Sequence, residues 1–259
     1  MGRKLGLESR DRPRRRCWGL VLFAALIFGG GRAAATPLDI NVIFGGGLTS
    51  SQESLFGQAE AVWEGYLSGY QSGISIATLD INAAGVALDG VGGTLGQAGP
   101  TWGVFQGGYY LSTVGVMEFD TADLNWLESN GSLLDVIVHE MAHVIGFGTL
   151  WEWNGVYASG TGQYTGAAGL AAYRAEFDPM AAFVPVELHG GPGTANGHWD
   201  EDWAGGSNAL MTGYLGSGNF ISDTTVRSFV DIGYVPEPST AVLVGLGLMG
   251  FCARGRRRQ

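Results

Sequence analysis

The chain has one lysine, Lys4, and two cysteines, Cys17 and Cys252, all close to its ends. Between residues 36 and 235 there is neither. That removes a disulfide framework and any thiolate metal site from the body of the protein. The same segment holds only two arginines, Arg174 and Arg227, against 21 acidic residues, a net charge of −19. A surface of that sign repels phosphate backbones, so nucleic acid is excluded as a partner. Charged residues are 15% of the 259 and apolar ones 46%, too apolar for a chain that stays disordered. Glycine is the abundant residue, with 45 copies and no G-X-Y period, which excludes collagen and predicts many turns.

The two ends read as addresses. Arg12 and Arg14-Arg15-Arg16 precede the apolar run 17–28, and Ala33-Ala34-Ala35 follows it. This is the order of a secretory signal peptide over 1–35, with the mature start near Thr36. At the other end stand Pro236-Glu237-Pro238, an apolar run over Thr240–Ala253 and an arginine cluster. That run is shorter than the about 20 residues of a stable span, and its arginines favour the cytoplasmic side. A plain C-terminal anchor has the same physics; the Pro-Glu-Pro directly before the run favours sorting. The tail resembles the PEP-CTERM sorting signal of Gram-negative bacteria. The resemblance implies a sorting protease of the exosortase type as partner. It also implies transient membrane association through the C-terminal segment, then release or transfer to the cell surface. The expected organisation is a signal peptide (1–35), a body (36–235) and a sorting segment (236–259).

The body has an α+β pattern. Strands are expected over 38–44, 73–81 and 112–120, where apolar and polar residues alternate. Helical spacing over 50–67 places Leu55, Ala59, Val62, Trp63 and Tyr66 on one face. The glycine-rich stretch 84–108, with Pro100, predicts hairpins and loops. Short helices are expected near 121–129 and 167–176, a terminal helix over 224–232, and irregular chain through most of 147–223.

The chemistry lies in a helix expected over 132–146. His139-Glu140-Met141-Ala142-His143 places two imidazoles four residues apart, on one helical face, where they can share a metal ion. Glu140 adjoins the first and can reach a metal-bound water as general base. Chance produces HExxH about 0.003 times in a chain of this composition, so accident does not explain it. Ser132 with Asp135 resembles a capping box, and Gly146 stands where a left-handed residue ends a helix. A histidine three residues beyond Gly146 would complete the compact pattern of such sites, but Thr149 is there.

Two further histidines remain, His189 and His198. His198 lies in GHWDEDW, thirteen residues before Met211 in NALMTGY. The ordered set HEMAHVIGFGTLW, PVE, GPGT, GHW and ALMTGYL resembles the leishmanolysin-like metallopeptidases, from about residue 38 to 235. The resemblance implies Zn²⁺ held by His139, His143 and His198, with Glu140 as base and Met211 in a turn beneath the metal. It implies a metzincin-like fold, with a twisted mixed sheet, an active-site helix and a loop-rich C-terminal subdomain. Relatives often carry Glu where this chain has Ala209. Protozoan relatives use an inhibitory propeptide cysteine, which the mature region here lacks. His189, in VELHGGPGT, is the alternative third ligand. Tyr214 reads as a packing residue that can also face an oxyanion. Asp200-Glu201-Asp202 reads as a solvated run that can touch Ca²⁺. Trp151, Trp153, Trp199 and Trp203 read as core or as lining of the cleft. Two functions follow as expectations. One is a secreted zinc endopeptidase acting on polypeptides; the other is a non-catalytic surface or extracellular-matrix binding protein on the same fold.

Overall fold

The computed structural model describes residues 36–237, so the expected signal peptide and the tail beyond Glu237 lie outside the described residues. Alternation sets the central sheet. Strand β1 is Ile40–Phe44; β2 is Leu67–Tyr70; β3 is Leu79–Val86; β4 is Gly96–Gln106; β5 is Tyr109–Asp120. The four-stranded sheet has the order β1-β3-β5-β4, with β1, β3 and β5 parallel and β4 antiparallel at the edge. Leu79, Ile81 and Ala83 of β3 and Met117 and Phe119 of β5 are fully buried, so one sheet face carries the core. The fold is mixed α and β around a mixed sheet, as the α+β pattern predicts.

Helix α1 (Ser50–Tyr66) and helix α3 (Leu133–Ile145) pack together, and α3 also lies on β4 and β5. Gly115 lets α3 come this close: a Cβ there would sit 2.3 Å from a Val144 methyl carbon. The Trp63 indole donates to the Val138 carbonyl at 2.9 Å inside the core. Helix α2 (Leu124–Ser129) is a short turn before α3.

In the second half, α4 (Ala167–Glu176) packs against α5 (Asp223–Ser228) and a 3₁₀ turn at Val230–Ile232. Two small ladders complete it. They pair β6 (Gln163–Tyr164) with β7 (Val184–Pro185), and β2 with β8 (Tyr234–Pro236). Scarcity of cations shapes how carboxylates are held. Asp231 accepts the N–H groups of Ala168 and Gly169, both at 2.8 Å, at the start of α4. Glu176 accepts those of Asp223 and Thr224 at 2.7 and 2.6 Å, at the start of α5. Helix N-termini stand in for absent lysines, because their unpaired N–H groups carry partial positive charge. Arg227–Asp223, at 3.3 Å on the surface, is the one ion pair among the described residues.

Four local expectations are corrected. The buried face of α1 is Gln52, Phe56, Ala59 and Trp63, and Tyr66 is largely outside it. Its true N-cap is a capping box of Thr49 and Gln52, whereas Ser132 at α3 makes no side-chain cap. The strand expected at 73–81 begins only at Leu79, although Ile74 and Ile76 are buried. Within the stretch expected to be loops, β4 runs eleven residues and contains Pro100. An edge strand needs no donor at every position, and the ladder shifts register between Pro100 and Trp102.

Candidate metal centre

Ten of the thirteen residues of α3 are buried, which gives its side chains little freedom. His139 and His143 share a face, as their spacing requires. The helix stops at Gly146, φ 134°, where the N–H groups of Gly146 and Phe147 both return to the Ala142 carbonyl. The chain then turns back, and Gly148 (φ 72°) passes against Gly197. A Cβ on Gly148 would lie 2.2 Å from the Gly197 carbonyl oxygen. This close crossing of two backbones carries His198 to the helix.

The three Nε2 atoms of His139, His143 and His198 are mutually 3.0 Å apart. Each Nδ1 meets a backbone carbonyl: His139 with Leu210 at 2.6 Å, His143 with Phe147 at 2.9 Å, His198 with Thr194 at 2.8 Å. A carbonyl only accepts, so each Nδ1 carries the proton and each Nε2 presents a lone pair. Burial holds all three pKa values below the ordinary imidazole range, His139 at about 3, with the neighbouring imidazoles adding to it at His139 and His143. Three neutral rings aim three lone pairs at one place. The corners of a triangle of this size lie about 1.7 Å from its centre. A cation about 2.0–2.1 Å from each nitrogen therefore fits just above its plane. The donor set, three imidazoles each oriented by a backbone carbonyl, suits a divalent cation of the zinc type.

Glu140 is buried beside this group and its carboxylate takes no hydrogen bond among the described residues. The start of β4 closes over it, so that a Cβ on Gly96 would stand 3.1 Å from Glu140 Cγ. Burial pushes the Glu140 pKa up to about 8. A cation beside it acts in the opposite direction. Met211 is fully buried in the turn Ala209–Thr212, which Thr212 closes through its N–H and hydroxyl to the Ala209 carbonyl. The turn serves both sides of the cluster: Leu210 orients His139, and the Met211 carbonyl accepts the Trp199 N–H at 2.9 Å.

Of the residues singled out in the sequence, the structure brings His139, Glu140, His143, His198 and Met211 into one neighbourhood. His189 is exposed, with its N–H on the Glu187 carboxylate, and lies outside the cluster. Tyr214 is 63% exposed, so the packing role expected for it does not hold. The three histidines are the group that meets at one point among the described residues, and the run Asp200-Glu201-Asp202 does not join it. Nor is that run simply solvated. Glu201 accepts the Gly213 N–H at 2.9 Å, and burial together with the adjoining Glu187 carboxyl lifts it to about 7. Trp151, Trp199 and Trp203 stack as core behind the site, while Trp153 is exposed. The sequence reading missed the roles of Gly96, Gly148 and Gly197. A glycine only marks permissiveness, and its contact partner is set by the fold.

Residues 235–258 match the PEP-CTERM protein-sorting motif. This implies recognition by exosortase and export with membrane-associated sorting, as in Gram-negative bacteria. No curated protein matches the chain. Among the described residues no helix is long and apolar enough to cross a membrane, and the apolar run 240–253 lies outside them.

Proposed function

We propose that the body is an exported zinc-dependent endopeptidase of metzincin type, similar to the leishmanolysins. The observation that carries the reading is the triangle of imidazole nitrogens, 3.0 Å on each side, with the unpaired Glu140 carboxylate one residue from the first of them. The HExxH helix, its glycine stop, a histidine brought in from 55 residues downstream and a buried methionine turn support the metzincin form.

His139, His143 and His198 would hold a zinc ion, which would supply Lewis acidity toward a water and a peptide carbonyl. Glu140 takes the proton of the attacking water on a carboxylate oxygen and later passes it to the departing nitrogen. Leu210, Phe147 and Thr194 hold the imidazoles in one tautomer through their carbonyls. The edge strand β4 begins at Gly96, beside Glu140, and offers backbone groups along its outer side, which suits an extended polypeptide added as a further strand.

The test uses the full chain, loaded with zinc, against an unfolded protein substrate. Cleavage by the parent and loss of about 10²-fold or more in Glu140→Gln, with zinc content unchanged, is the expected result. Equal cleavage by both removes Glu140 as the base. A folded, zinc-bound parent that cuts nothing turns the reading to a binding protein on the same scaffold.

A further inference from the structure

The β4–β5 hairpin and the turn after α3 enclose a cavity of about 330 Å³, with Trp102 and Trp153 among its walls. Gly96 of β4 stands beside Glu140, and Trp102 is six residues further on, about 20 Å along an extended strand. Both indoles face solvent, Trp102 at 70% exposure and Trp153 at 65%. Exposed apolar rings gathered round a hollow mark an interaction site. None of the described residues lining this hollow is charged.

The rings are placed before any ligand arrives. The ladder shifts register on both sides of Trp102, and such a bulge re-aims the side chain it carries. On the other wall Asn154 fixes the turn. Its side-chain oxygen accepts the Tyr110 N–H and its amide nitrogen donates to the Tyr110 carbonyl, both at 3.0 Å. The Tyr110 ring in turn meets Trp153 edge to face at 5.3 Å and Phe105 at 4.8 Å. Ser112 lies two residues beyond Tyr110 with no register shift between them, so both share one strand face. Ser112 is fully buried and lines the cavity, yet its hydroxyl has no partner among the described residues. An unpaired buried hydroxyl costs stability, and a ligand that bonds it recovers that loss.

We propose that this cavity binds a sugar ring of a neutral polysaccharide. A pyranose presents flat C–H faces and a rim of hydroxyls. The indoles take the faces and Ser112 pairs with the rim, the mix of apolar wall and few polar groups that small-molecule sites use. A serine hydroxyl both donates and accepts, so the pair closes whichever way the ligand hydroxyl points. Charge selects the class. The body carries a net −19 and the cavity offers no cation, so uronate or sulfate chains and anionic lipid surfaces are repelled. A volume of about 330 Å³ is at the small end of ligand sites, so it takes a short stretch of the chain and leaves the rest in solvent. This inference does not depend on the body being a peptidase.

The experiment is isothermal titration of the full chain, in a detergent without a sugar headgroup. The probes are cellohexaose, laminarihexaose, mannohexaose and xylohexaose, with oligogalacturonate as the acidic control. At least one neutral sugar should bind with a Kd of about 1 mM or tighter, and oligogalacturonate should not bind. Trp102→Ala and Trp153→Ala should each weaken binding by about tenfold or more. Trp126→Ala, at an exposed indole of α2 outside the cavity, should leave it unchanged. Ser112→Ala should melt at or above the parent temperature, because an unpaired buried hydroxyl is gone, yet bind the sugar about threefold to tenfold more weakly. Parent-like binding by Ser112→Ala overturns the contact assigned to that hydroxyl. Failure of all four neutral sugars to bind the folded chain overturns the proposal, and so does binding that survives both tryptophan changes. Trp153-dependent binding of an unfolded polypeptide or of phosphatidylcholine vesicles by the zinc-free chain, with no sugar bound, gives the cavity another occupant and overturns it too.

Discussion

Replacing Gly148 with alanine separates the two jobs of a glycine beside the three-histidine cluster. At φ 72° an L-residue with a Cβ costs about 1–2 kcal/mol from its own backbone. Gly155, at φ 69°, bears the same cost, yet a Cβ there would meet nothing within 4 Å. At Gly148 the added carbon would stand 2.2 Å from the Gly197 oxygen and 2.8 Å from its carbonyl carbon and Cα. All are backbone atoms, so no side chain can swing aside. Restoring an ordinary separation moves one of the two segments by about 1 Å. Metal ligands must be held to within about 0.5 Å, and His198 is the next residue after Gly197. Gly148→Ala should therefore weaken zinc binding by about 10–100-fold, the range seen when support around a ligand is lost. Gly155→Ala should leave zinc affinity within about twofold while losing a similar increment of backbone stability. The assay is zinc competition with a chromophoric chelator, alongside thermal melts of the zinc-free proteins. Equal zinc affinity in the two variants would refute the claim that the crossing of Gly148 and Gly197 places His198.

His198→Ala should reduce zinc affinity by at least about 100-fold and His189→Ala should leave it unchanged, measured by the same competition, because only His198 joins the triangle. Tyr234→Phe strands the Ile145 carbonyl and should cost about 1–2 kcal/mol, or about 2–8 °C in Tm, whereas Tyr214→Phe, at an exposed ring, should melt like the parent. Asp120 accepts the N–H groups of Ala122, Gly90 and Asp89, which holds its carboxyl below the ordinary range. Its contribution is therefore present above the unfolded pKa and lost as pH falls through the lower folded value. Hydrogen exchange at Asp89 and Gly90 should stay slow at pH 5 and accelerate only in strong acid, and Asp120→Asn should show the fast exchange at neutral pH.

How far each element could be read in advance depends on where its stabilising contacts lie. Helix α3 is legible because its period, its buried run and its glycine stop are all local. Helix α4 falls over 167–176 as expected, although its N-terminal partner, Asp231, is 62 residues away from Gly169. Strand β4 was hidden, because glycines and Pro100 argue locally for loops and only the ladder with β5 makes it a strand. The cap at Ser132 failed for a similar reason: Ser132 adopts helical dihedrals, and Asp135 turns to Asn219 at 2.8 Å. The buried face of α1 was displaced because periodicity identifies a stripe of apolar residues but not which edge of it the sheet will cover.

By itself the sequence determined the chemistry available to this protein. It set two imidazoles and a carboxylate on one turn of helix, a body almost without cations, and a sorting tail after a Pro-Glu-Pro. These are matters of residue type and short spacing, and a helix of 3.6 residues per turn translates them directly. Tertiary structure alone decided which distant groups complete the arrangement. His198 rather than His189 closes the triangle because Gly148 and Gly197 let two backbones touch. The tail is bound into the body as far as Glu237 because β2 has an open edge for β8 and the end of α3 has a carbonyl for Tyr234. Such pairings depend on the distance between segments far apart along the chain, which the packing of the core sets and local pattern does not encode.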